Sequence, residues 1–171
     1  TDGSDNLTST GTVPWANLPI KHLNSQYDSV ANVGSGEDTL MTYTLSAGTV
    51  VAAGDRLTIH ASGLLDAATA QTLRFHIGGT PFTLFSASGI VGKQWAADIN
   101  LIANSNTAVS GYVNAHYSDS PAETPVTYTL SFAGLGVSTF ASNSVIKFTG
   151  EGTNNNEVQQ HSMSITYYAA P

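Results

Sequence analysis

The sequence predicts an all-β fold, a jelly-roll-like antiparallel β-sandwich with an extended N-terminal arm, and three observations predict it. From Glu37 onward, apolar and polar residues alternate with a period of two, the pattern of strands that bury one face. Turn-forming pairs such as Gly54-Asp55 and Gly78-Gly79 interrupt that alternation at short intervals. No stretch keeps the 3.6-residue apolar period of a long helix. With 171 residues and a hydrophobic fraction of 41%, the chain has the length and apolar content for one domain with a real core.

Residues 1–33 differ from the rest. They hold Pro14 and Pro19, several turn formers and no sustained alternation, which predicts an extended arm outside the main core. Trp15, Leu18, Ile20 and Leu23 are its apolar anchors and candidate docking residues, on the chain's own domain or on a neighbouring subunit. Residues 34–171 form the sandwich. Leu40, then Tyr43 and Leu45, mark its first strand. Leu57, Ile59 and Ala61 face inward on the next, with Arg56, Thr58 and His60 outward. The stretch LLDAATAQTL has helix-friendly alanines between strand patterns, and the expectation is a loop with at most a helical turn. Leu73, Phe75 and Ile77 then point inward, with Arg74 and His76 outward. Pro81 suits an edge or a strand start.

Trp95 heads an alternating strand (Ala97, Ile99, Leu101 against Asp98 and Asn100) and is assigned to the core. Val109 and Val113 alternate against Tyr112, which makes Tyr112 the candidate surface aromatic. Val126, Tyr128, Leu130 and Phe132 are in phase, and the last strand places His161 in phase with Met163 and Ile165. Roughly eight to ten short strands result, for which a double-sheet jelly roll is the preferred architecture. An immunoglobulin-like sandwich is the alternative, weakened by the missing Cys-Trp-Cys framework.

Composition removes several functions. Net charge is −7, and the five cations, Lys21, Arg56, Arg74, Lys93 and Lys147, are scattered, so nucleic acid is not an expected partner. No polybasic segment and no apolar run near membrane-spanning length is present, and the expectation is a soluble protein without a membrane partner. Absence of Cys excludes disulfides and thiolate metal sites. No signal peptide is visible, and the missing initiator Met suggests a processed or trimmed start. Only 10% of residues are charged, with Ser, Thr, Asn and Gly in their place. Such a surface suits packing against other subunits, because desolvating hydroxyls and amides costs less than desolvating charges.

No linear catalytic signature appears. There is no G-x-S-x-G elbow and no phosphate-binding G-x-x-x-x-G-K-[ST]. His60, His76 and His116 lie on outward faces with no H-x-H or H-x-x-x-H spacing and no acid in phase beside them, so solvent or interface roles are expected over a metal site. The acids of GED at Gly36–Asp38 and of AGD before Arg56 are expected to accept backbone N–H bonds and shape turns. GEGTNNNE at Gly150–Glu157 is oxygen-rich but lacks the order of a calcium loop. The expectation is therefore no catalytic residue, no metal and no cofactor. A spatial carboxylate pair acting on a glycan ranks far behind.

Taken together, G-x-G-E-D-x-L before the first strand, G-D-x-L-x-I-x-A-x-G in the second and T-L-R-x-x-x-G-G in the third resemble a family of small tailed-bacteriophage structural proteins. A Trp-led middle strand and a G-x-G-x-x-N-x-x-x-Q close complete the likeness, which spans roughly residues 29–168. The resemblance implies a jelly-roll virion protein without catalytic residues. It implies a capsid decoration or cement protein that contacts the major capsid protein or other virion subunits, located on the capsid exterior rather than the tail. By analogy with viral jelly rolls a homo-oligomer, a trimer first, is expected. The alternative is a tail-fibre or receptor-binding domain recognising host-surface glycan, and a polysaccharide depolymerase comes third.

Overall fold

A computed structural model describes residues 19–118, 125–136, 140 and 142–170, with Leu135 described in its backbone only. Eleven strands lie within the described residues: β1 (Ile20–Gln26), β2 (Val30–Ala31), β3 (Gly36–Leu45), β4 (Arg56–Ala67), β5 (Gln71–Ile77), β6 (Thr80–Ala87), β7 (Ile90–Ser105), β8 (Ala108–Ser118), β9 (Val126–Gly136), β10 (Ser144–Gly152) and β11 (Val158–Tyr168). They form two antiparallel sheets. The larger has seven strands in the order β1-β11-β4-β7-β8-β9, with β2 also on β11. The smaller is β3-β10-β5-β6. The chain crosses between them repeatedly, as in a jelly roll, and the inner faces close on a core that includes Phe75, Trp95, Ile99, Phe148 and Ile165. The all-β sandwich expected from the alternation is the observed fold.

Alternation explains most inward positions directly. Leu57, Ile59, Ala61, Gly63, Leu65 and Ala67 are all buried along β4. This corrects the loop expected over LLDAATAQTL. Leu65 and Ala67 continue the inward phase between β11 and β7, and cross-strand pairing overrides the helix preference of alanine. The turn is confined to 68–70. Buried Gln71 closes it, its Nε2 donating to the carbonyls of Ala67 at 2.8 Å and Ile90 at 2.9 Å.

The arm expected over residues 1–33 is divided. Trp15 and Leu18 lie outside the described residues. Ile20–Gln26 is an edge strand of the large sheet, paired with β11, so this half belongs to the sandwich. A register shift between His22 and Asn24 breaks its alternation, which is why the sequence reads as irregular there. Leu23 packs against the core, while Ile20 is exposed.

Candidate functional site

The outward face of the small sheet carries a connected cluster of charged and polar side chains. Antiparallel pairing sets Glu151 of β10 opposite Glu37 of β3 and Lys147 opposite His76 of β5. The Arg74 guanidinium bridges Glu37 at 3.0 Å and Glu151 at 2.8 Å. Thr149 Oγ1 donates to Glu37 Oε1 at 2.6 Å, and His76 Nε2 lies 2.8 Å from Thr149 Oγ1 and 3.2 Å from Glu37 Oε1. The Thr149 hydroxyl and, after it, the Arg74 and His76 charges hold the Glu37 carboxyl below its ordinary range against the opposing effect of burial. Burial and the nearby Lys147 ammonium push His76 down, against the pull of Glu37.

A hydroxyl, an imidazole and a carboxylate in contact invite comparison with a catalytic triad, but the geometry differs. In a triad one ring nitrogen faces the nucleophile and the other the carboxylate. Here Nε2 alone faces both, and the Thr149 proton goes to Glu37 rather than to the ring. Thr149 is also buried. The cluster is a clamp between β3, β10 and β5. His76 was expected on an outward face in a solvent or interface role; it lies on the outward face but is buried beneath this network.

His60 corrects a second expectation. Its Nδ1 pairs with Asp98 Oδ1 on the adjoining strand β7, so an acid does sit beside it. The same holds for His76 with Glu37. Sequence phase assigns a face but cannot show which residue lies opposite. The His60–Asp98 pair is half exposed, where such pairs contribute little. No group of three or more His, Cys, Asp or Glu side chains is placed to hold a metal among the described residues.

The oxygen-rich loop between β10 and β11 is organised from within. The Glu157 carboxylate accepts from Thr153 N and Thr153 Oγ1, from Asn154 Nδ2 at 2.8 Å and from Thr69 Oγ1 at 3.2 Å. Burial raises its pKa, but hydrogen bonds from Asn154, Thr153 and Thr69 outweigh it and hold the value at about 2. Asn32, fully buried, donates Nδ2 to Asn154 O at 2.8 Å and accepts from Val158 N at 2.9 Å. Two acids of the turn signals act as expected. Asp55 accepts from Val51 N, Ala52 N and Ala170 N, and Asp38 accepts from Val33 N.

Two surfaces stand open among the described residues. Among these residues β9 ends the large sheet, and its inward residues Val126, Tyr128 and Leu130 are 42%, 38% and 38% exposed. The ring contacts of β9 with β6 among the described residues are Phe132, stacked on Phe82 at 4.8 Å, and Tyr128, edge-on to Phe85 at 5.1 Å. The second surface is the outward face of the large sheet. Tyr112, the surface aromatic read from the sequence, stands there 49% exposed opposite Asn100. Tyr168 lies on the same face, and its phase is readable only once the inward Tyr167 is fixed.

No protein-family profile and no curated protein sequence matches the chain. Among solved structures, it is similar to the CBM2 module of the evolved Dit of Lactobacillus casei BL23 phage J-1, at 9% identity and a TM-score of 0.37, over 90% of this chain and 98% of that one. It is similar to a protein of unknown function from Shewanella oneidensis MR-1, at 10% identity and a TM-score of 0.38, over 88% and 79%. The infectious bursal disease virus Gx strain structure matches at 11% identity and a TM-score of 0.28, over 88% of this chain and 40% of that one. At these scores and identities the three likenesses carry no argument about activity or partner.

Proposed function

We propose that the chain is a non-enzymatic structural component of a bacteriophage particle, a decoration or cement subunit that works as a homo-oligomer on the outer shell. The observation that carries this reading is the open end of the sandwich at β9. Its residues Val126–Gly136 include no charge, yet they form an edge strand with a half-exposed apolar row. Soluble monomers protect such edges with charges, bulges or covering segments. Among the described residues β9 has one such device, the bulge at Gly134 opposite Val109 and Gly111, and the uncharged run over residues 126–132 before it suits burial by a second copy of the chain. The phage assignment is supported by the ordered motifs between residues 29 and 168, and the weakly charged surface is compatible with close subunit packing. The major capsid protein is the proposed partner, and a trimer the proposed oligomer.

Localisation by cryo-electron microscopy tests the role. A cement subunit is present at copy numbers that match capsid lattice positions, and particles lacking it lose their genome at lower temperature. Density for only a few copies at the tail overturns the reading. Because β1 belongs to the sheet, the segment to remove in testing the arm is 1–18. That deletion leaves a folded sandwich that fails to bind the shell.

A further inference from the structure

The outward face of the large sheet holds side chains that neither the core nor the ion pairs above use. Pairing aligns Thr166, Thr58, Asn100 and Tyr112 in one row across β11, β4, β7 and β8, and sets Tyr168 beside Arg56 in the next. Thr58 and Asn100 are short, and their side chains meet at 3.4 Å. The longer Arg56 and Tyr168 rise beside them. The result is an open depression of about 280 Å³ lined by Gly54, Arg56, Thr58, Asn100, Tyr168 and Ala169. Gly54 has φ +94°, a conformation that L side chains rarely adopt, and a Cβ there would lie 3.3 Å from the Ala170 methyl group.

Three features of the depression bear on what it takes. Tyr168 is 36% exposed and offers an aromatic surface. Asn100 and Thr58 each donate and accept hydrogen bonds. Arg56 is exposed and, among the described residues, has no carboxylate within ion-pair distance. Arg74, by contrast, is held by two carboxylates, and Lys21 lies over the Tyr167 ring at 5.2 Å. Asp98, in the row beyond Thr58 and Asn100, is engaged by His60, and Asp55 accepts from the backbone N–H groups of Val51, Ala52 and Ala170.

The geometry points to a binding site for a saccharide that bears a carboxylate, such as a terminal uronic or sialic acid. A pyranose ring has an apolar C–H face that stacks on an aromatic ring, and hydroxyls that need partners able both to donate and to accept. A guanidinium matches a carboxylate with two parallel hydrogen bonds. One arginine suits one carboxylate. A polyphosphate or nucleic acid needs clustered cations, and a net charge of −7 opposes it. Tyr112, opposite Asn100, extends the platform for a second sugar ring. This site stands apart from the shell-binding reading and does not need the chain to be part of a particle.

Amide NMR titration of the full chain with sialyllactose and with trigalacturonate tests it, with lactose as the neutral comparator. Either acidic probe shifts the amides of Arg56, Thr58, Asn100 and Tyr168, and lactose does so far more weakly. Arg56→Gln and Tyr168→Ala each weaken binding by about tenfold, the scale of one charge-assisted contact. Tyr168→Phe, which keeps the ring, retains most of it. Both altered residues are exposed, and dispersed spectra confirm that the variants are folded. Absence of shifts with both acidic probes overturns the proposal, as do an equal response to lactose, shifts confined to another face, or unchanged affinity in Arg56→Gln.

Discussion

The Trp95 indole Nε1–H on β7 donates to the backbone carbonyl of Gln159 on β11 at 2.9 Å, across the strand β4 that separates them. The bond exists because β4 carries Gly63 at the crossing point, paired with Trp95 on one side and Gln160 on the other. A methyl group on Gly63 would collide with the Gln159 carbonyl oxygen and come within 2.6 Å of the indole nitrogen.

Gly63→Ala is therefore among the most damaging single-methyl changes the chain can receive. Overpacking and a broken buried hydrogen bond together cost roughly 2–5 kcal/mol. Trp95→Phe keeps much of the volume but leaves the Gln159 carbonyl without its donor, at about 1–3 kcal/mol. Urea unfolding followed by circular dichroism measures both. A Gly63→Ala midpoint equal to that of the parent would contradict the crossing described here.

How far these features were legible follows from what alternation encodes. It gives the face of a residue wherever the strand is regular, and so Trp95 reads as core and Tyr112 as surface from the sequence alone. It fails at bulges. Leu40 and Met41 are both buried because β3 shifts register against β10 there, and the phase change from Leu40 to Tyr43 is the trace that bulge leaves in the sequence. A shift between Gln160 and Ser162 turns Gln160 inward and leaves His161 half-buried. Partners across strands are not encoded locally at all. Glu37 and Thr149 are 112 residues apart, and Asn32 and Asn154 are 122 apart. The clamp, the loop and the depression on the large sheet all depend on such pairs.

Acid destabilises the β10–β11 loop through Glu157. Its folded pKa of about 2 lies below the unfolded value of 4.5, so its contribution is fully present above pH 4.5 and is lost as the pH falls toward 2. Glu157→Gln removes a charged acceptor and costs about 1.5–3 kcal/mol at neutral pH. Thermal melts in steps from pH 7 to pH 2 should show a shallower decline for this variant than for the parent below pH 4.5. Parallel curves would mean that Glu157 has the same pKa in the folded and the unfolded chain.

His76 acts in the same direction at higher pH. Burial and Lys147 lower its pKa from 6.5, so between that value and its folded value the unfolded chain binds a proton that the folded chain does not. Stability from this residue is complete above pH 6.5 and falls as the pH drops below it. Glu37, held down by Thr149, adds its own loss only below about pH 4.5. The two are separable by substitution: His76→Gln flattens the stability profile from pH 6.5 to 5, while Glu37→Gln changes it at lower pH. A parent profile without slope between pH 6.5 and 5 would show that His76 titrates normally.

The edge at β9 yields the prediction closest to the proposed role. Leu130 is exposed enough that a lysine there can extend its ammonium into solvent while its stem covers part of the apolar row. Leu130→Lys should therefore leave the isolated sandwich folded, at a cost of about 1 kcal/mol, yet place a charge where a second copy would bury the strand. Light scattering after size exclusion reads the outcome: the parent forms an oligomer whose fraction rises with concentration, and Leu130→Lys elutes as a monomer with an unchanged circular dichroism spectrum. Lysine at Thr129, on the opposite face of the same strand, separates the two modes of contact. If the copies meet through strand pairing at the edge, both variants are monomeric; if they meet through the apolar row alone, only Leu130→Lys is. A parent that stays monomeric at its highest soluble concentration removes the self-association half of the proposal and leaves the edge of β9 to the capsid.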